Sequence, residues 1–150
     1  MSMGNTRFVT MADVDTLELP WGKLNWLSEP KVTGSQKLTT GVVVLEPGQG
    51  HDRHNHPGCE EIIYVLEGQA EQFVEHPDGK VERKRMAPGE LVHVPADYDH
   101  GTLNVGVGTL KLLVVYEIAG PEALLRELPD CIVHPPARDT KGGLSHDQSS

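Results

Sequence analysis

Turn signals recur along the middle of this chain roughly every eight to twelve residues, a spacing that suits short strands and leaves no room for long helices. Pro47-Gly48, Pro57-Gly58, Asp78-Gly79 and Pro88-Gly89 are strong turn dipeptides, and Glu67-Gly68 closes a further apolar run. The segments between them favour extended structure. Residues 38–45, 61–66 and 110–118 are rich in β-branched and aromatic side chains and read as strands. Residues 69–75 and 80–86 flank Asp78-Gly79 as a hairpin, and 51–56 and 91–94 are shorter extended pieces. The pattern predicts an all-β, antiparallel sandwich or barrel. Trp21 and Trp26 precede these strands and are expected to cover one end or side of the core. Pro121 and Glu122 open a short C-terminal helix with Leu124, Leu125 and Leu128 on one face, and Pro129 ends it. One barrel domain over residues 16–136 follows, with a flexible segment at 1–15 and a disordered tail at 137–150.

Charge narrows the partners. The chain carries 22 acidic and 13 basic residues, a formal net charge of -9. That balance argues against nucleic acid and against an anionic membrane surface. No apolar run is long enough for a membrane helix, and no basic-then-apolar start suggests a signal peptide. Two widely spaced cysteines, Cys59 and Cys131, do not read as a disulfide framework. A cytoplasmic protein is expected.

The chemistry concentrates around His54, His56, Glu61 and His100. Alternate residues of a strand point the same way, about 6.6–6.8 Å apart, so His54 and His56 can aim at one point. Pro57-Gly58 turns the chain and lets Glu61 return to it. Three imidazoles and a carboxylate suit a divalent transition metal rather than calcium or magnesium. Four protein donors would fill a tetrahedral zinc, whereas an octahedral ion keeps two open positions. Fe, Mn, Ni or Co is therefore favoured, with Zn possible. Among the other candidates, His51 reads as a surface residue, with a supporting contact to a ligand histidine as the alternative, and His93 as a structural histidine or a proton carrier. Cys59 reads as a bystander near the site, and His76, His134 and His146 as surface residues. The hydroxyls of Tyr64, Tyr98 and Tyr116 are possible acid–base groups that the sequence does not position.

Two strands are apolar on both faces. Ile62, Tyr64 and Leu66 oppose Ile63 and Val65, while Leu113 and Val115 oppose Leu110, Leu112 and Val114. Such a wall needs an outer cover. A second copy in a symmetric homodimer would supply it, as would the N-terminal segment or the C-terminal helix.

The spaced residues resemble the cupin superfamily. Gly48, His54, His56, Glu61 and Gly68 match its first motif, with four residues before the glutamate. Gly89, Pro95, His100 and Asn104 match the second, with Asp97 where the family usually has glycine. Aspartate tolerates the left-handed backbone better than most residues, so the turn should survive. About twenty residues separate the motifs, as in small single-domain bacterial cupins. The resemblance implies an antiparallel jelly-roll β-barrel of six to eight strands, with a metal held inside by His54, His56, Glu61 and His100. It also implies an enzyme acting on a small oxygenated organic substrate, of isomerase/lyase or O2-dependent dioxygenase type. The alternative is a non-catalytic module that binds or senses a small ligand.

Overall fold

The computed structural model describes residues 4–119 and 121–137, and within the C-terminal helix no side chain of residues 121–123. A 3₁₀ turn (Met11–Asp13) leads into β1 (Thr16–Leu19) and β2 (Gly22–Ser28), then a single helical turn, α1 (Pro30–Thr33). There follow β3 (Thr39–Leu45), β4 (Gly50–His54), β5 (Glu61–Glu67), β6 (Ala70–Glu75), β7 (Val81–Met86) and β8 (Leu91–Val94). The remaining elements are β9 (Asp99–Asn104), β10 (Leu110–Tyr116), α2 (Pro121–Arg126) and β11 (Ile132–His134). The strands form a seven-stranded sheet, β11-β1-β2-β3-β10-β5-β8, and a four-stranded sheet, β4-β9-β6-β7. Every pairing is antiparallel, in the jelly-roll arrangement expected.

Period-2 alternation builds the large sheet. Leu110, Leu112, Val114 and Tyr116 of β10 are buried, while Lys111, Leu113 and Val115 between them are half-buried. On β5 the inward positions are Glu61, Ile63 and Val65. Leu17, Leu24, Leu45, Val65 and Leu110 are each at most 1% exposed. Burying such a side chain contributes about 1.5–3 kcal/mol. Across the sandwich, Ala70, Val74 and Met86 of the small sheet join the same core. The β6–β7 hairpin turns at Asp78-Gly79 as the sequence predicts, with Glu75 opposite Val81.

Four strands escaped the sequence pattern: β1, β2, β9 and β11. Trp26 does not cap an end of the core; it is a 1% exposed residue of β2 and packs inside it. The inward residues of β9 are His100, Thr102 and Asn104, so no apolar alternation announces it. The strand expected at 51–56 ends at His54, which leaves His56 in the following turn. Of the tail expected at 137–150, residues 138–150 lie outside the described residues, as does His146.

Two joints hold the end of the sandwich. Asn104, 2% exposed, donates to the carbonyls of Leu45 and Gly108 at 2.9 Å each, and its Oδ1 accepts the Gly106 N–H. One side chain thus ties β9, β3 and the loop to β10. Gly68 sits at φ 92°, and a Cβ there would lie 2.5 Å from the Thr109 carbonyl oxygen.

On the outer face of the large sheet Ile62, Leu66 and Leu91 are 36%, 44% and 54% exposed, and no described residue of the N-terminal segment or α2 covers them. At the other end, α2 is latched by Arg126. Its two Nη atoms donate to Glu29 Oε1 and Oε2 at 2.9 and 2.6 Å, and Glu29 is 2% exposed. Removing one partner of a buried pair strands the other charge, at a cost of about 3–5 kcal/mol. Arg126→Ala should therefore lower the unfolding free energy by about that amount in urea denaturation. Arg126→Leu combined with Glu29→Leu should recover most of the loss, because no buried charge is then left unpaired.

Candidate metal centre

Three elements and one turn deliver four polar side chains to one point inside the sandwich. His54 closes β4, and its cross-strand partner on β9 is His100. Glu61 opens β5, and His56 lies in the turn between β4 and β5. The turn is tied to the loop before β9. The Gly58 N–H donates to Asp97 Oδ1 at 3.0 Å, and the Asp97 N–H points at the His56 carbonyl at 3.4 Å. Asp97 adopts φ 72°, the left-handed conformation that its replacement of a glycine required. The aspartate keeps the turn and adds a hydrogen bond between the two segments that carry the site.

The ligand atoms of His54, His56, Glu61 and His100 all lie within 4.8 Å of one another. His54 Nδ1 is 2.6 Å from the Asp52 carbonyl oxygen, and His100 Nδ1 is 3.1 Å from that of Tyr98. A carbonyl only accepts, so each Nδ1 carries the proton and each Nε2 presents a lone pair to the centre. His56 Nε2 and His100 Nε2 stand 3.3 and 2.9 Å from Glu61 Oε1. Yet these three buried atoms lack hydrogen-bond geometry to any partner among the described residues. Burying three polar atoms without partners is costly, and a shared cation would satisfy all three. The cluster could hold a metal ion.

Burial and neighbouring charges keep His54 and Glu61 deprotonated. Burial pushes the Glu61 carboxyl up, but the adjacent His100 and His56 nitrogens outweigh it and hold the pKa at about 2. Burial, then the neighbouring His100, pushes His54 down to about 4.

His51 is half-buried rather than a surface residue, and it sits against a histidine of the cluster, as the alternative reading allowed. Its ring stacks on Trp21 at 4.1 Å and 6° on one side, and on His54 at 3.7 Å and 25° on the other. Strict alternation would turn His51 away from His54. The β4–β9 pairing instead slips, with His51 opposite Thr102 and His54 opposite His100. Three steps on one strand match two on the other, and this bulge brings both rings to the inner side. Burial, then His54, pushes His51 down to about 3.

The remaining candidates separate by location. Tyr116 lies 4.8 Å from the His56 ring and lines the cavity, as does the buried Cys59. His93 is exposed and paired with Glu60 at 2.5 Å, and His134 is exposed against Glu18 at 2.8 Å. His76 is half-buried beside Glu82. Tyr64 and Tyr98 do not line the cavity. On the outer side of β4, its residue Arg53 bridges Glu75 and Asp99, which fastens β4 to β6 and β9.

The cluster opens into a cavity of about 390 Å³, within the range of small-molecule sites. The large sheet supplies an apolar floor that includes Leu24, Val43, Ile63, Leu112 and Val114. Trp21, Leu124 and Leu125 also line it.

A jelly roll with three histidines and a glutamate convergent in its interior defines a class of small β proteins that could house a metal ion. The sequence model of the Cupin domain matches residues 41–116, and the chain belongs to that family. It is 30% identical over 100 residues to the polyketide synthase CurC of Streptomyces cyaneus, covering 67% of this chain and 62% of that protein. With the oxalate decarboxylase OxdC of Bacillus subtilis it shares 24% over 107 residues, 71% of this chain and 28% of the relative. Among solved structures, KdgF from Halomonas sp. superposes with a TM-score of 0.66 at 18% identity, over 79% of this chain and 98% of that one. That likeness is one of fold.

Protonation supplies a test. His51 and His54 stay neutral in the fold down to about pH 3 and 4, against an ordinary value of 6.5. As pH falls below 6.5, the unfolded chain takes up protons that the fold excludes, so stability is lost. Glu61, with its pKa held near 2 against 4.5, extends the loss to still lower pH. The urea midpoint of metal-free protein should decline steadily from pH 7 to 4. His51→Phe, which keeps the ring stack, should make that decline shallower.

Proposed function

We propose that this protein is a mononuclear transition-metal cupin and an enzyme acting on a small oxygenated organic substrate. The observation that carries the reading is the group of three buried donor atoms, on His56, Glu61 and His100, which have no partner but each other among the described residues. His54, His56, Glu61 and His100 are the proposed ligands, and Fe, Mn, Ni or Co is favoured over Zn for the reason of open positions. The relative from Bacillus subtilis, oxalate decarboxylase, has Mn(II) centres, which supports that choice. A bound ion with open positions supplies Lewis-acid catalysis of proton shifts and eliminations, or a site for O2 chemistry. The protein's part is to hold the donors rigid. The Asp52 and Tyr98 carbonyls set the histidine tautomers, and the Trp21–His51 stack braces the His54 ring.

The second reading, a non-catalytic module that binds or senses a small ligand, is favoured by the cavity wall. Beyond the cluster, several of its polar groups are already engaged: Thr102 with Gln72, Asn55 with Asp99, and the Cys59 thiol with the Glu60 carbonyl. A cytoplasmic setting is supported by the two free cysteines. Among the described residues, no helix is long and apolar enough to cross a membrane. The open outer face of β5 and β8 supports a homodimer.

Elemental analysis tests the core of this reading. Protein stripped with chelator and reloaded with Co(II) should bind one equivalent. His100→Ala should weaken affinity at least about tenfold, with the far-ultraviolet β signal intact. Full occupancy in His100→Ala and His56→Ala would move the site elsewhere.

A further inference from the structure

The cavity beside the four donors is charged at one end only. Among the described residues that line it there is no lysine or arginine, and Glu61 is the sole carboxylate. The two arginines near its borders are both committed. Arg53 is paired with Glu75 and Asp99 on the outer face, and Arg126 with Glu29. Two neutral polar groups are engaged: Thr102 Oγ1 contacts Gln72, and Asn55 donates to Asp99 at 2.9 Å. The Trp26 indole N–H, without a hydrogen-bond partner among the described residues, is a neutral donor left on the wall. Opposite the donors lies the apolar floor, closed at its flank by the Trp26 ring, which packs 5.5 Å from Tyr116. A phosphate or carboxylate placed there would leave its hydration shell and find no cation in return, a loss that charged groups do not recover in apolar surroundings.

Resting on the metal reading above, we propose that the substrate is a largely apolar, ring-bearing molecule. It carries two adjacent oxygen donors at one end, as a catechol, enediol or β-dicarbonyl does, and no second charged group. The oxygen pair faces the His/Glu cluster, and the hydrocarbon body lies on the floor of Val43, Ile63, Leu112 and Val114. Burial of the body drives binding in proportion to its apolar area, while the donor end orients it. Phosphorylated sugars and small dicarboxylates are disfavoured. Both offer little apolar surface, and a phosphate held away from the metal finds no positive group among the described lining residues.

The test is a ligand series read by calorimetry on Co(II)-loaded protein, with cobalt content measured beforehand. 2,3-Dihydroxynaphthalene should bind at least tenfold tighter than catechol, and both should bind tighter than oxalate or fructose 6-phosphate. Val43→Phe, which fills the floor, should lower the dihydroxynaphthalene affinity at least fivefold and leave cobalt content unchanged. If that variant does not fold, the series on the unaltered protein decides. Oxalate or fructose 6-phosphate binding as tightly as dihydroxynaphthalene overturns the proposal. A protein that takes up no cobalt overturns the metal reading instead. The cavity's preference is then read without metal, where 2-naphthol should quench tryptophan fluorescence and fructose 6-phosphate should not. Absence of quenching by 2-naphthol sinks the proposal in that case.

Discussion

Glu61 Oε1, His56 Nε2 and His100 Nε2 meet in the interior with no other partner among the described residues, and the surrounding structure is arranged to tolerate that. Unpartnered buried polar atoms cost free energy, so the groups around them must hold them in place. Asp52 and Tyr98 contribute carbonyls that pin two imidazoles. Asp97 clips the turn carrying His56 to the loop before His100. On the far side of β4, Arg53 with Glu75 and Asp99 fastens the strand that carries His54. The apolar core then supplies the stabilisation that the polar cluster withholds.

The same geometry links stability to chemistry. The neutral state of His54 is the one a metal would need, and it follows from burial. It also makes the empty protein sensitive to acid, because the unfolded chain is free of the burial that keeps the His51 and His54 rings neutral. The bulge in β4 adds a further element. It turns His51 inward, where the ring fills the space between Trp21 and His54 and narrows the freedom of a ligand side chain.

Legibility in the sequence followed physical pattern. Strands β3, β5, β8 and β10 and the β6–β7 hairpin stood out because one face of each packs on the core or because a turn dipeptide fixes the register. β9 did not, because its inward residues are His100, Thr102 and Asn104, which serve the site and the joint rather than the core. β2 was obscured by the break in its register near Trp26, and β11 by pairing only with the distant β1. The convergence of His54, His56, Glu61 and His100 was legible because motif spacing encodes it. The inward turn of His51 was not, since a bulge depends on how β4 meets β9.

The sequence by itself determined the β class, the hairpin, the left-handed turn at Asp97 and the residues of the His/Glu cluster. Each of these follows from local chemistry: turn residues, alternation, and the spacing of histidines. Only the tertiary structure decided the inward turn of His51 and the burial of Trp26. It also decided the pairing of Arg126 with Glu29 and the absence of a cation from the described cavity wall. Those features depend on which distant segments meet and at what register. One residue's slip in a strand exchanges its two faces, and local pattern does not fix that slip.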